Sequence, residues 1–173
     1  MQNATEQMAK LQEQSKSYFP LIVIVVFSAL IPFGQKILGN TSSVSLMYGF
    51  MGYFLIILSM FKFFDLPGFA KAFAKYDLVT QKFPPYGYIY PFIELFLGLA
   101  YLSHFILFLT NLIAIIVMSA GAIGVFKSLQ SGEDIKCACL GTGLNVPLST
   151  VSIVENVGMV VMAVFQIVRH LFV

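Results

Sequence analysis

The sequence predicts an all-α integral membrane bundle of about five transmembrane helices, and three observations carry that prediction. Apolar residues make up 58% of the 173 and charged residues only 10%, where soluble domains carry about a quarter charged. A globule of this length leaves much of its surface outside, so the excess apolar surface points to lipid as its solvent. Runs close to the roughly 20 apolar residues that cross a bilayer recur along the chain. The charged residues cluster between those runs, with few inside them. The net charge of +2 is too small to suggest nucleic acid as a partner.

Residues 1–17 are polar, with Glu6, Lys10, Glu13 and Lys16, and read as a tail or amphipathic helix ahead of the membrane. Residues 18–43 give the first span, about Tyr18 to Leu38, and a turn. This run ends in Pro32-Phe33-Gly34-Gln35-Lys36 with no small-x-small cleavage pattern, so it is expected to stay as a span. Residues 44–173 hold four more spans: about Val44 to Phe64, Tyr88 to Leu109, Asn111 to Leu129 and Ser149 to Phe172. Pro91 is read as part of the third span's first turn, where proline is tolerated. Spans three and four adjoin so closely that a tight antiparallel hairpin is expected. Near residues 66–77, Phe69, Ala72, Phe73 and Tyr76 recur at helical spacing with Lys71 and Lys75 turned away, which describes a short helix in the membrane interface.

Basic residues accumulate on the cytoplasmic side of membrane proteins. Alternating loops put Lys10, Lys16, Lys62, Lys71, Lys75, Lys82, Lys127 and Lys136 on one side, with Lys36 and Arg169 on the other. The N-terminus and the loop between spans four and five are therefore expected in the cytoplasm, and the C-terminus outside.

That loop holds the chain's two cysteines, Cys137-Ala138-Cys139, followed by Gly141-Thr142-Gly143. A disulfide across one residue closes a strained ring, and strained disulfides are oxidising and labile. Two adjacent thiolates also suit soft ions such as Cu(I), Hg(II) or Zn(II), and Lys136 favours the thiolate form. Redox and metal uses both remain open on this motif. The bland alternative is that the cysteines fill a helix junction.

Ionisable groups inside a bilayer are costly and point to function. Glu94 and Glu155 each lie about six residues into a span that starts on the cysteine side, roughly 9 Å below the interface. The thiols and both carboxyls are thus expected in one layer of the bundle. Glu155, Met159, Met162, Gln166 and Arg169 fall on one face of the last span, expected to point inward. On a metal reading Met159 and Met162 are thioether ligands beside Cys137, Cys139 and Glu155; otherwise they are flexible packing residues. Tyr90 and Tyr101 share a face with Glu94 and are expected as phenolic partners for it, while His104 is read as a hydrogen-bonded packing residue. Gly49, Gly52, Gly98, Gly121 and Gly124 permit close helix contact. Nothing resembles a phosphate-cradling loop, a metalloprotease helix or a Ser-His-Asp set, so hydrolysis has no support.

The stretch Lys62 to Tyr101, with Lys62, Phe69, Tyr76 and the run Pro91, Glu94, Leu95, Gly98, resembles the DoxX/MauE superfamily of small membrane proteins. Cys137, Cys139 and Gly141 match a Cys-x-Cys-x-Gly pattern that many members carry between their last two spans. The resemblance covers roughly residues 46–168. It implies a DoxX-like four-helix core with one extra N-terminal transmembrane helix, in a bacterial inner membrane. It also implies a redox-associated role with Cys137, Cys139, Glu94 and Glu155 as site residues, a thioredoxin-like partner and quinone-linked chemistry. A subgroup attached to a heavy-metal-binding domain has a similar Cys-Ala-Cys-Leu-Gly-Thr run and a following glutamate. This chain lacks that domain, so the metal reading needs a separate metallochaperone. A non-catalytic assembly factor and a homo-oligomer are further expectations.

Overall fold

The computed structural model describes residues 2–39, 43–130 and 148–172, and among these there are seven helices and no strand. They are α1 (Gln2–Ile37), α2 (Ser43–Phe64), α3 (Leu66–Phe73), α4 (Leu78–Lys82), α5 (Pro85–Leu102), α6 (Leu107–Gln130) and α7 (Leu148–Phe172). Three stretches are by themselves long and apolar enough to cross a membrane: Ser45–Phe64, Leu107–Gln130 and Glu155–Phe172. α1 adds the shorter apolar stretch Leu21–Ile37. The protein is an integral membrane helical bundle.

Burial shows which faces meet lipid. Leu21, Ile24, Ser28 and Pro32 form a buried stripe on α1, while Ile22, Val26, Phe27, Leu30 and Phe33 on its other sides are exposed. The stripe faces α2, α1's main partner. Pro32 lies so close to Gly49 that a Cβ there would come within 2.8 Å of the proline ring. Phe92, Phe96 and Leu99 on α5, with Ile116, Ile123 and Phe126 on α6, are likewise exposed. Only a bilayer makes such faces inexpensive.

Glycine sets the closest crossing. A Cβ on Gly98 would lie 2.9 Å from the Gly52 carbonyl oxygen, and one on Gly52 2.9 Å from that of Gly98. The backbones of α2 and α5 therefore touch, as small residues allow in membranes. α6 and α7 make the second close pair, with Gly121 leaving room for the Asn156 amide.

This pairing corrects the expected hairpin. α5 and α6 are consecutive, yet each packs mainly along a different partner, α2 and α7 respectively. The third span also ends earlier than the apolar run suggests, at Leu102. His104 has φ 54°; its N–H donates to the Tyr101 carbonyl at 3.3 Å and the Phe105 N–H to that of Ala100 at 3.0 Å. These two bonds are the helix-ending arrangement in which glycine usually holds the left-handed position. Here histidine does, so no glycine signals the break. At the other end α5 starts at Pro85, which puts Pro91 inside the helix and not in its first turn. The proline removes one N–H that would have bonded to Gly87, a loss membrane helices tolerate.

Between α2 and α5 the chain crosses the end of the bundle. The Asp65 carboxylate accepts from the Gly68 N–H at 3.0 Å and starts α3, helped by Pro67. Asp77 repeats the device for α4, accepting from the Thr80 N–H and hydroxyl, each at 2.7 Å. Such caps satisfy N–H groups that a helix start leaves open. α3 buries Phe69, Ala70 and Phe73 and exposes Lys71, consistent with a helix laid across an apolar bundle.

Candidate functional site

The Gly52–Gly98 crossing fixes where the charged residues of α2 and α5 fall. Lys62 lies ten residues beyond Gly52, about 15 Å along the axis, and Glu94 four residues before Gly98, about 6 Å along α5. The helices are antiparallel, so both positions lie on the same side of the crossing. Helical side chains tilt toward their own N-terminus. Lys62 therefore leans back toward the crossing and Glu94 leans away from it, and the gap closes.

The lysine Nζ donates to both oxygens of Glu94, at 2.5 and 2.6 Å, and to Oε1 of Glu155 on α7 at 2.7 Å. All three side chains are at most 1% exposed. One ammonium and two carboxyls, from three helices, thus share one enclosed point. Aromatic rings roof it: Nζ lies 5.1 Å from the centre of the Tyr90 ring and 5.5 Å from that of Phe69. Those rings stack with centres 6.1 Å apart, and Phe73 adds a third at 4.6 Å from Tyr90. The electron-rich faces favour a cation beneath them. α3, seen in the sequence as an interfacial helix, is therefore also the lid of this cluster.

A buried ion pair is weak evidence for stability, because desolvating the charges can cost as much as their attraction returns. Two acids and a base retained inside a membrane bundle are better explained by a use. The chemistry they offer is proton storage. With both carboxyls ionised the cluster carries one net negative charge, and with one proton shared between them it is neutral.

The expected site residues fall into three groups. Glu94 and Glu155 meet at Lys62. Met159 is buried and Met162 half-buried on the Glu155 face of α7, with Gln166 buried further along it. Cys137 and Cys139 lie outside the described residues, so their position relative to the carboxyls is not part of this geometry. Among the described residues no three of His, Cys, Asp or Glu converge.

Two partner expectations change. Tyr90 meets the cluster through its ring, and its hydroxyl lies 3.7 Å from Met118 Sδ. Tyr101 donates to Asn111 Oδ1 at 3.0 Å, far up α5 from the acids. His104 packs as expected, with Nε2 3.1 Å from the Ser45 hydroxyl and its ring edge-on to Tyr48. Lys62 is the residue that sequence reasoning placed wrongly. Sitting at the end of a span in Phe61-Lys62-Phe63-Phe64, it counts there as a loop charge; in the structure it is the hub. The available signal was its place at the start of the Lys62–Tyr101 motif stretch.

The family model described as methylamine utilisation protein MauE matches residues 40–169. The match takes in α2 to α6, most of α7, the ion cluster and the cysteine motif, and leaves out all of α1. No curated protein and no solved structure matches the chain.

Proposed function

Because the chain belongs to the family of methylamine utilisation protein MauE, we propose that it is a redox-associated membrane protein that exchanges a Cys137–Cys139 disulfide with the dithiol of a thioredoxin-like partner. A partner thiolate attacks one sulfur of the Cys137–Cys139 bond, which breaks and leaves a mixed disulfide and one free thiolate. The partner's second thiolate then attacks the mixed disulfide. The partner gains a disulfide, and Cys137 and Cys139 take up two electrons and, with them, two protons. Restoring the disulfide would require an oxidant that accepts two electrons and two protons, chemistry that a membrane quinone would supply. The strain of a ring closed across one residue favours this direction.

The observation that carries the reading is the Lys62–Glu94–Glu155 cluster. Thiol exchange needs groups that hold and release protons, and one ammonium with two carboxyls stores one proton at neutral total charge. Glu155 stands on the helix that directly follows the cysteine segment. On the distribution of lysines, the N-terminus and that segment face the cytoplasm and the C-terminus faces outward. A membrane-impermeant maleimide that labels the reduced cysteines from the opposite side of sealed vesicles would reverse this orientation.

The test is trapping. Cys139→Ser and Cys137→Ser are made singly in the whole protein, and one of them is expected to accumulate a mixed disulfide with a partner dithiol. Glu155→Gln should still form that adduct but complete the exchange more slowly than wild type. A Cys137→Ser/Cys139→Ser variant with full activity would remove the exchange and leave an assembly factor. Soft-ion transport through Cys137, Cys139, Glu155, Met159 and Met162 requires Glu155 to leave Lys62. Stoichiometric Cu(I) or Hg(II) binding that disappears with both cysteines would select it.

A further inference from the structure

A cavity of about 160 Å³ lies at the same end of the bundle as the ion cluster, between the α3–α4 junction and the last turns of α6. Its mouth is at the exposed Lys75 and Gln81, and the buried Tyr76, Gly124 and Ser128 line its inner part. Gly124 lets α6 touch the chain at Tyr76, where a Cβ would collide with the carbonyl oxygen. The volume holds several waters.

Over α3 the approach to the cluster is closed by rings, with Phe73 centred 5.1 Å from Phe69 and 4.6 Å from Tyr90. Past α6 the lining is polar. The Asn156 amide sits against Gly121, which puts its neighbour Glu155 at about the level of Gly121. Gly124 lies one turn nearer the cavity end and Ser128 two turns nearer, about 5 and 10 Å along the axis. Seven residues from Gly121, Ser128 shares its face of α6. Two buried oxygens on this line have no hydrogen-bond partner among the described residues: Ser128 Oγ in the cavity and Asn156 Oδ1 beside Glu155. Buried polar atoms left open by protein partners are ordinarily satisfied by water.

Beyond the cluster the core turns apolar. Met51, Leu55, Leu58, Leu97, Met118 and Met159 are each at most 1% exposed, and Met159 lies one turn past Glu155 on α7. Gln166 Nε2 also lacks a partner among the described residues, but it stands two turns further on, toward the Tyr101 end. We propose that the cavity is the entry by which water and protons reach the Lys62–Glu94–Glu155 cluster, from this end alone, with Ser128 and Asn156 as its hydrogen-bonding steps. The titratable groups at the cluster are Lys62 of α2, Glu94 and Tyr90 of α5 and Glu155 of α7. α3 presents the Phe69 ring, and α6 the Met118 thioether that accepts from Tyr90, so an arriving proton is taken by a carboxyl. The inference rests on the thiol-exchange reading only for the use made of those protons.

The experiment uses the whole chain in detergent micelles with Cys137→Ser/Cys139→Ser, so thiol exchange plays no part and its failure is a separate result. Infrared spectroscopy follows the carbonyl stretch of the protonated buried carboxyl as water is replaced by deuterium oxide. That band is the one removed by Glu155→Gln, in which Lys62 and Glu94 balance and no proton is stored. In the same background Ser128→Cys is expected to react with methyl methanethiosulfonate added from solution. The modification should slow deuterium exchange of the band by about tenfold, the loss of one hydrogen-bonding step. Ala114→Cys, at a fully buried position two turns from Gly121 in the opposite direction, should not react, and Tyr101→Phe should leave the exchange rate unchanged. An unreactive Ser128→Cys, an exchange rate unaltered by its modification, or no band that Glu155→Gln removes would each overturn the proposal. Reaction of Ala114→Cys as fast as Ser128→Cys, or equal slowing by Tyr101→Phe, would overturn entry from one end.

Discussion

The two ends of the α2–α5 pair are closed by opposite chemistry. Near Leu102 the contacts are neutral: Tyr48 stacks on Tyr101 at 5.9 Å, Tyr101 bonds Asn111, and Ser45 bonds His104. Near Phe64 the closure is Lys62 between Glu94 and Glu155 beneath an aromatic lid. A neutral contact that loses a member leaves one unsatisfied dipole. The charged contact that loses its cation leaves two carboxyls facing each other without water. The first kind of closure tolerates change and the second does not, which is why the charged end is the place to look for function.

The largest expected effect tests that contrast directly. Lys62→Met should destabilise the protein by about 3–5 kcal/mol, the usual result of removing one partner of a buried ion pair. Reversible unfolding of the whole chain in mixed detergent measures it. Adding Glu94→Gln and Glu155→Gln to the same chain should restore most of the loss, and failure to do so would mean that Lys62 acts through packing.

Next is the crossing between the two ends. Gly98→Ala forces a methyl to within 2.7 Å of the Ile56 side chain and 2.9 Å of the Gly52 carbonyl, at a cost of about 1–3 kcal/mol for overpacking. Because this crossing sets the register of Lys62 against Glu94, the variant should also disturb the charged end, visible as faster hydrogen exchange in α3.

The neutral end should respond less. Tyr101→Phe removes the donor to Asn111 and should cost about 0.6 kcal/mol, the average for a polar contact between membrane helices. A loss as large as that of Lys62→Met would erase the contrast. The smallest effect is expected for His104→Gly. Relief of the left-handed backbone favours it by about 1 kcal/mol, offset by the lost bond to Ser45, so the unfolding midpoint should barely move.

Much of this was legible from residues. Glu94 and Glu155 announce themselves as carboxyls in apolar runs, and counting along each helix puts them at a common depth. The inward stripe of α7 follows from spacing alone. Lys62 was hidden because a lysine at a helix end looks the same whether it reaches out to water or folds back under a lid. What decides between those is the helix that follows. Periodicity shows that Phe69 and Phe73 share a face and is silent on what that face covers. The pairing of α2 with α5 was hidden for a related reason: Gly52 and Gly98 each signal closeness, and neither names its partner. The break at His104 carries no glycine, so the apolar run reads straight through it.

The link Ser103–Ile106 and the Lys62–Glu155 contact sit at opposite ends of the same two helix pairs, α2 with α5 and α6 with α7. A clothes peg is built this way, with a spring at one end and jaws at the other. A single elementary charge added or removed at Glu155 therefore falls at the end of the two helix pairs that lies farthest from the link between them.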